Sequence, residues 1–260
     1  MIININGWIN KIPFIKKIYS RILNTILLNS KKEFVVSFKN IRLTINIKDP
    51  IDKIIFYKNG YEEEQIKFLS KWIKKNKPNI FIDIGANFGV YPLRIAKLFK
   101  MLKIIAFEPV LTTFNKLKMN IKINNLEKRI KTYNMGLSNT NGIKKMIALT
   151  RKNYTQSGGF SFSIPKRKLT NEETIQFHKS IIGDEVLKFK KKRIVIKIDV
   201  EGYENKVLLG IKNLLSNNRI LLQIEIFDNN FKKVNKFLLK KKFKLIDKFN
   251  KTHDYFYINY

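Results

Sequence analysis

The sequence predicts an α/β fold: a seven-stranded, mostly parallel sheet with helices on both faces and a C-terminal antiparallel hairpin, preceded by an N-terminal helix and hairpin. Three observations carry this. From Ile80 onward the apolar runs "NIFIDIG", "KIIAFE", "IKTYNMG", "RIVIKIDV" and "ILLQIEIF" alternate with helical patterns, as strands buried on both faces do. The first run passes through a glycine turn straight into a helix. The chain then closes with "FKLIDKF", a short "NKTH" connection and "DYFYINY", an apparent hairpin.

The elements follow in order. Ile12, Ile15, Tyr19, Ile22 and Ile26 recur at helical spacing among Lys11, Lys16, Lys17 and Arg21, which predicts an amphipathic helix after Pro13. "EFVVSF" and "IRLTINI" flank "KN" and read as a hairpin. We therefore assign residues 1–60 to an accessory unit and 61–260 to the main domain. In "EEEQIKFLSKWIKK", Ile66, Leu69 and Ile73 share a helical face. Further helices are expected at Pro92, at Thr112 and Thr113, at Glu201 and after Asn230, with apolar stripes such as Phe114, Leu117 and Ile121, or Val207, Ile211 and Leu214. Residues 144–192 show no regular pattern and contain "SGGFSFS". So long a stretch between core strands reads as a substrate-side insertion.

Composition narrows the function classes. The 260 residues suffice for one α/β domain and an accessory segment, and the absence of cysteine rules out disulfides and thiolate metal sites. No secretory pattern or long uncharged apolar run appears, so a cytoplasmic protein is expected, without a spanning helix. The net charge of +32 suits a polyanionic partner, nucleic acid or an anionic membrane surface. Yet lysine supplies 44 of the 52 basic residues, scattered and accompanied by abundant Ile, Asn, Phe and Tyr, which also fits a genome rich in A and T.

The glycine turn carries the chemistry. Asp83, Gly85, Ala86, Asn87 and Gly89 join strand to helix with G-x-x-x-G spacing, not the G-x-G-x-x-G of dinucleotide folds. A diphosphate would be repelled by Asp83. S-adenosylmethionine has no phosphate and carries a sulfonium and an ammonium, so the same carboxylate attracts it, while the turn's N–H groups are expected to face its carboxylate or ribose. Glu108 ends the next strand, where an acid can accept both ribose hydroxyls. The reading without a ligand is that both acids cap the helices after them. A terminal antiparallel strand after a doubly wound sheet is the Rossmann-like layout of the class I methyltransferases.

"FIDIGANFGVYPLRIAKLF", "IIAFEP", "GLSNTNG", "VIKIDVEGYENKVLLG" and "LLQIEIF", in this order, resemble the FkbM family of S-adenosylmethionine-dependent O-methyltransferases over about residues 60–227. "GYEEE" is similar to that family's approach to the first strand. The resemblance implies that Asp83, Gly85, Ala86, Asn87 and Gly89 hold the methionine end of the cofactor, Glu108 and Pro109 its ribose side, and Ser138 the rim of the adenine pocket. Family members usually follow that serine with an acid; here Asn139 stands there.

Asp199, Glu201 and Glu225 are the candidate catalytic residues, because they end the fourth and fifth core strands at the carboxyl edge where open α/β sheets bind ligands. Asp199 is assigned as base, or as ligand of a divalent metal, near the methyl group, Glu201 as its neighbour or a helix-dipole acid, and Glu225 as a polar wall. Glu204 is expected at the surface. A divalent metal would lower a hydroxyl pKa, but no acid or His pair has diagnostic spacing, so a metal is not indicated. His178 and His253 read as solvated, His178 with an alternative role as base. The resemblance points to hydroxyls of sugars, glycans, glycolipids or related natural products as acceptors. Two alternatives stand: RNA ribose 2′-O-methylation, for which Lys197 and Asp199 supply half of a pocket, and a non-catalytic module that binds a membrane surface through Trp8, Phe14 and the basic helix.

Overall fold

The computed structural model describes residues 2–4, 33–149, 170–171, 173–249 and 252–260. The expected helix after Pro13 and the "SGGFSFS" stretch lie outside the described residues. A short strand, β1 (Ile2–Asn4), runs parallel to β2 (Phe34–Phe38), which forms the expected hairpin with β3 (Ile41–Ile45). Two asparagines of a later helix, α4 (Leu111–Ile123 with its C-cap Asn124), occupy the backbone of β3. Thr44 N donates to Asn120 Oδ1 at 2.8 Å and Arg42 N to Asn124 Oδ1 at 2.9 Å. Side-chain amides thus satisfy strand groups that no neighbouring strand reaches.

Helix α1 (Pro50–Lys58) starts where Asp49 accepts the N–H groups of Ile51 and Asp52, with proline at its first position. Asp52 is fully buried and pairs with Lys116 of α4. Helix α2 (Glu63–Asn76) buries Ile66, Leu69 and Ile73, the stripe expected from their spacing.

The main sheet has seven strands in the order β12-β13-β11-β10-β4-β5-β6. Here β4 is Ile80–Ile84, β5 Lys103–Phe107, β6 Ile130–Tyr133, β10 Arg193–Ile198, β11 Arg219–Glu225, β12 Lys244–Phe249 and β13 Asp254–Ile258. β6, β5, β4, β10 and β11 are parallel, and β13 runs antiparallel to both β11 and β12. This is the class I methyltransferase arrangement, with the last strand inserted in the sheet. Alternation along each strand feeds two cores. Phe81, Ile104, Val195, Leu221 and Phe256 join α2, α3 (Val90–Leu98), α4 and the β2–β3 hairpin on one face. Ile82, Ile105, Ile196, Leu222 and Tyr257 meet α6 (Glu204–Gly210), α7 (Lys212–Asn217) and α8 (Asp228–Lys240) on the other.

Two expectations need correction. The stretch 144–192 is not irregular throughout: β8 (Gly142–Leu149) and β9 (Glu173–Ile182) pair antiparallel, and β7 (Gly136–Ser138) joins β9, followed by the single turn α5 (Gly183–Val186). Their half-exposed faces mix Lys, Thr and Gln with isolated apolar residues, which blurs a period of two. Glu201 also does not head a helix. It lies in a left-handed turn at φ 52°, and α6 begins three residues later. Among the described residues, no helix is long and apolar enough to cross a membrane.

Candidate active site

The register of the sheet sets a row of polar residues into an otherwise apolar face. Asp83 on β4 lies opposite Lys197 on β10, which lies opposite Gln223 on β11. Each shares the orientation of its strand's core residue two positions earlier (Phe81, Val195, Leu221), so the row points toward α2 and α3, not toward solvent. Tyr91 of α3 covers it: Lys197 Nζ stands 4.6 Å from the centre of its ring, and Gln223 Nε2 donates to its hydroxyl at 3.1 Å.

Lys197 Nζ binds Asp199 Oδ2 at 2.9 Å, and the two side chains are 6% and 26% exposed. Burial alone would lower the lysine's pKa, but the carboxylates of Asp199, Asp83 and Glu62 outweigh it and hold the ammonium above its ordinary value. Asp83 is 1% exposed. Burial pushes its carboxyl up to about 7, Lys197 opposes the rise, and Asp199 and Glu62 add to it. Its Oδ1 is a buried oxygen without a hydrogen-bond partner. Such an atom asks for a donor.

The glycine turn is wired internally. Gly85 N and Ala86 N donate to the carbonyl of Phe107, Gly89 N to Ala86, Asn87 N to Glu108 Oε2 and Phe88 N to Asn87 Oδ1. The expectation that the N–H groups of Gly85 to Gly89 face a ligand is therefore corrected: all five are spent on folding the turn. Val90 and Tyr91, which open α3 and line the cleft, present the positive end of that helix instead. Gly85 is required for two reasons. Its φ is +85°, and a Cβ there would lie 1.8 Å from the carbonyl oxygen of Asp199. The turn and the end of β10 thus touch backbone to backbone.

Glu108 holds this turn to the next helix. One carboxylate oxygen accepts from Asn87 N and the other from Val110 N, both at 2.9 Å. The helix-capping role read as an alternative in the sequence is not what these bonds perform, since neither α3 nor α4 has a side-chain cap, and each oxygen of Glu108 keeps a second lone pair. Burial raises Glu108 to about 7 against the pull of those two N–H groups. Pro109 is half-buried beside it, its carbonyl accepting from Asn134 Nδ2 at 3.0 Å and from His178. His178 is thus tied to the strand end after Glu108, its pKa lowered by burial. Ser138 is fully buried; its Oγ lies 3.0 Å from Tyr203 Oη and does not line the cleft around Asp83.

The cleft is lined by Tyr61, Asp83, the turn from Gly85 to Tyr91, Lys197 and Asp199. Glu225 shares a hydrogen bond with Asp199. Burial and the Asp199 charge push Glu225 up, whereas Lys197 and that hydrogen bond hold Asp199 down in spite of burial. Glu201 is half-buried in its turn. Glu204, expected at the surface, is 1% exposed, because its Oε1 accepts the Gly202 N–H at 2.7 Å and folds the turn leading from Asp199. Glu62, read in the sequence only as part of the "GYEEE" approach to the first strand, accepts from the Tyr91 hydroxyl at 2.5 Å. A strand-terminal acid is visible from its run, whereas Glu62 reaches the row only through the packing of α2.

These residues fit S-adenosylmethionine: an unpartnered buried carboxylate oxygen, further acids beside it and a helix N-terminus meet a ligand with two cationic groups and one carboxylate. Among the described residues no cluster of three or more His, Cys, Asp or Glu side chains could hold a metal ion.

Solved structures similar to the chain include a precorrin-6y C5,15-methyltransferase from Geobacter metallireducens, with 12% identity, 75% of this chain and 86% of that chain covered, and a TM-score of 0.43. An rRNA methylase from Streptococcus thermophilus shows 12% identity, coverage of 76% and 93%, and a TM-score of 0.44. A ribosomal protein L11 methylase from Lactobacillus delbrueckii subsp. bulgaricus shows 14% identity, coverage of 76% and 78%, and a TM-score of 0.44. No curated protein matches the chain. The sequence model of the methyltransferase FkbM domain matches residues 83–249, well over half of the chain, which therefore belongs to the FkbM family of methyltransferases.

Proposed function

We propose that the chain methylates a hydroxyl of a sugar, glycan, glycolipid or related natural product, with S-adenosylmethionine as donor. The single observation behind this reading is the unpartnered Oδ1 of Asp83 in a cleft that the carboxylate of Asp199 also lines. Such a field attracts a cationic donor and repels a diphosphate.

Bound S-adenosylmethionine supplies a methyl group on a positively charged sulfur. Asp83 would hold the ammonium of its methionine end, and Glu108 would offer its remaining lone pairs to the ribose hydroxyls. Asp199, kept ionised by Lys197, accepts a hydrogen bond from the acceptor hydroxyl and turns an oxygen lone pair toward the methyl carbon. Its low basicity is sufficient. A hydroxyl gaining a methyl group becomes strongly acidic, so its proton would pass to this weak carboxylate base as the oxygen–methyl bond forms and the carbon–sulfur bond breaks, leaving neutral S-adenosylhomocysteine. Glu225, whose carboxyl is pushed up by burial and by the Asp199 charge, resists placing a second full negative charge beside Asp199.

Calorimetry with S-adenosylmethionine and S-adenosylhomocysteine on wild type and Asp83→Ala tests the donor site. Micromolar binding weakened at least tenfold by the substitution, about 1.4 kcal/mol, is expected, and equal binding by both proteins would remove Asp83 from it. Methyl transfer from labelled donor to glycan fractions and RNA, assayed in parallel, tests the acceptor. The RNA arm matters because the Lys197–Asp199 pair beside the cleft, with the +32 charge, favours ribose 2′-O-methylation as a second reading. Contact of residues 1–30 with an anionic membrane is part of the proposal. Flotation of anionic liposomes with a chain lacking those residues tests it, since undiminished binding would dismiss them as the anchor.

A further inference from the structure

Asp83, Glu108, Asp199 and Glu225 lie at strand ends of the sheet, but the cleft has another wall. Tyr61 lines it, on the chain leading into α2, and the next residue, Glu62, adopts the left-handed conformation at φ 49°. A bulky residue holds such a backbone only when its surroundings fix it. The Tyr91 hydroxyl donates to Glu62 Oε2 at 2.5 Å, and the Tyr61 hydroxyl also bonds to Glu62. Behind them the network continues. Gln223 Nε2 reaches both Tyr91 Oη and, at 2.8 Å, Asp254 Oδ1, while Gln65, one turn along α2, donates to Asp254 Oδ2 at 2.9 Å. Two side chains of the α2 start are thus locked onto the polar row of the sheet.

The charges around Glu62 suggest what this lock is for. Lys197 and Asp199 act on it directly, and the Tyr61 hydroxyl feels Glu62, Asp199 and Glu225, so both residues stand on the Asp199 side of the cleft. Asp83, Asp199 and Glu62 surround Lys197, three carboxylates against one ammonium. A site made only for packing gains nothing from that imbalance. We propose that Glu62 is a further residue of the donor site: it fixes the Tyr61 hydroxyl at the cleft and supplies buried negative charge that favours a sulfonium over a neutral thioether. Burial raises the pKa of Glu62, as it does for Asp83, and an arriving cation lowers the cost of ionising both.

This rests on the reading of the cleft as an S-adenosylmethionine site, and the two are separable. S-adenosylhomocysteine lacks the methyl group and the sulfonium charge but keeps the rest of the ligand, so the ratio of the two affinities isolates the charge. Calorimetry on wild type, Glu62→Gln and Tyr61→Phe, at about pH 7.5, gives that ratio. Glu62→Gln should weaken S-adenosylmethionine at least tenfold and S-adenosylhomocysteine less than threefold; Tyr61→Phe should move the ratio the same way by a smaller factor. Parallel losses for both ligands, or no loss, would reduce Glu62 to a structural prop and overturn the inference. Should Glu62→Gln fail to fold, Tyr61→Phe decides alone, with an unchanged ratio refuting it. Failure of wild type to bind either ligand would instead overturn the underlying reading of the site, and this inference with it.

Discussion

Lys197 and Asp199 point from the end of one strand to a shared ion pair 2.9 Å long, with the ring of Tyr91 against the ammonium. The pair neutralises part of a row that would otherwise bury carboxylates without a cation. Lys197→Met leaves Asp83 and Asp199 facing each other, and we expect a loss of about 2–3 kcal/mol in urea unfolding. That is below the usual cost of breaking a buried pair because Asp199 retains some solvent. Adding Asp199→Asn should cost less than the sum of the single changes.

Stability should fall as pH rises through the neutral range. Asp83, Glu108 and Glu204 have folded pKa values of about 7 and Asp52 of about 6, against ordinary values of 3.8 for Asp and 4.5 for Glu. Between those limits the folded chain binds more protons than the unfolded one, so the stabilisation is full below about pH 4 and is lost as pH climbs through about 7. Calorimetric melting of the ligand-free protein from about pH 5 to 7.5 reads this slope, and Asp83→Asn should flatten it.

Donor binding should respond in the opposite sense. A cation prefers ionised Asp83, so affinity for S-adenosylmethionine should rise from about pH 6 to 8 with release of protons, seen as a buffer-dependent binding enthalpy. Asp83→Asn should abolish most of that release.

Gly85→Ala should be among the most damaging single changes. The added carbon meets the Asp199 carbonyl at 1.8 Å, a backbone atom that cannot swing away, and φ is positive as well. We expect a loss of about 3 kcal/mol or more together with donor binding. Gly142→Ala, also at positive φ but with nothing within 4 Å, should cost only about 1 kcal/mol.

Asn120 ties three parts together, its amide donating to the Phe88 carbonyl at 2.9 Å while its oxygen receives Thr44 N. Asn120→Ala strands a buried donor on β3 and an acceptor in the glycine turn. A loss of about 2–3 kcal/mol is expected in denaturant unfolding, with weaker donor binding because the turn loosens.

The strands were legible because burial on both faces writes continuous apolar runs, and Asp83, Glu108 and Asp199 stood out as charges at their ends. The inserted last strand was legible as a hairpin. What escaped was set by tertiary contact. Asp83, Lys197 and Gln223 form a row only once strands far apart in sequence are placed in register. Glu62 joins them only through the docking of α2, and a first-turn acid such as Glu204 looks solvated until Gly202 is found folded beneath it. The internal bonding of the glycine turn was likewise invisible, since its pattern is the same whether the N–H groups serve a ligand or the loop.

The position of β13 has a consequence for the edge of the sheet. The strand wedges between β11 and β12, and its Asp254 lies opposite Glu225 while bonding Gln223 and Gln65. β12 is held in the sheet through β13, so loosening that one strand would release the sheet edge and break the bridge from Gln223 to α2 in a single event.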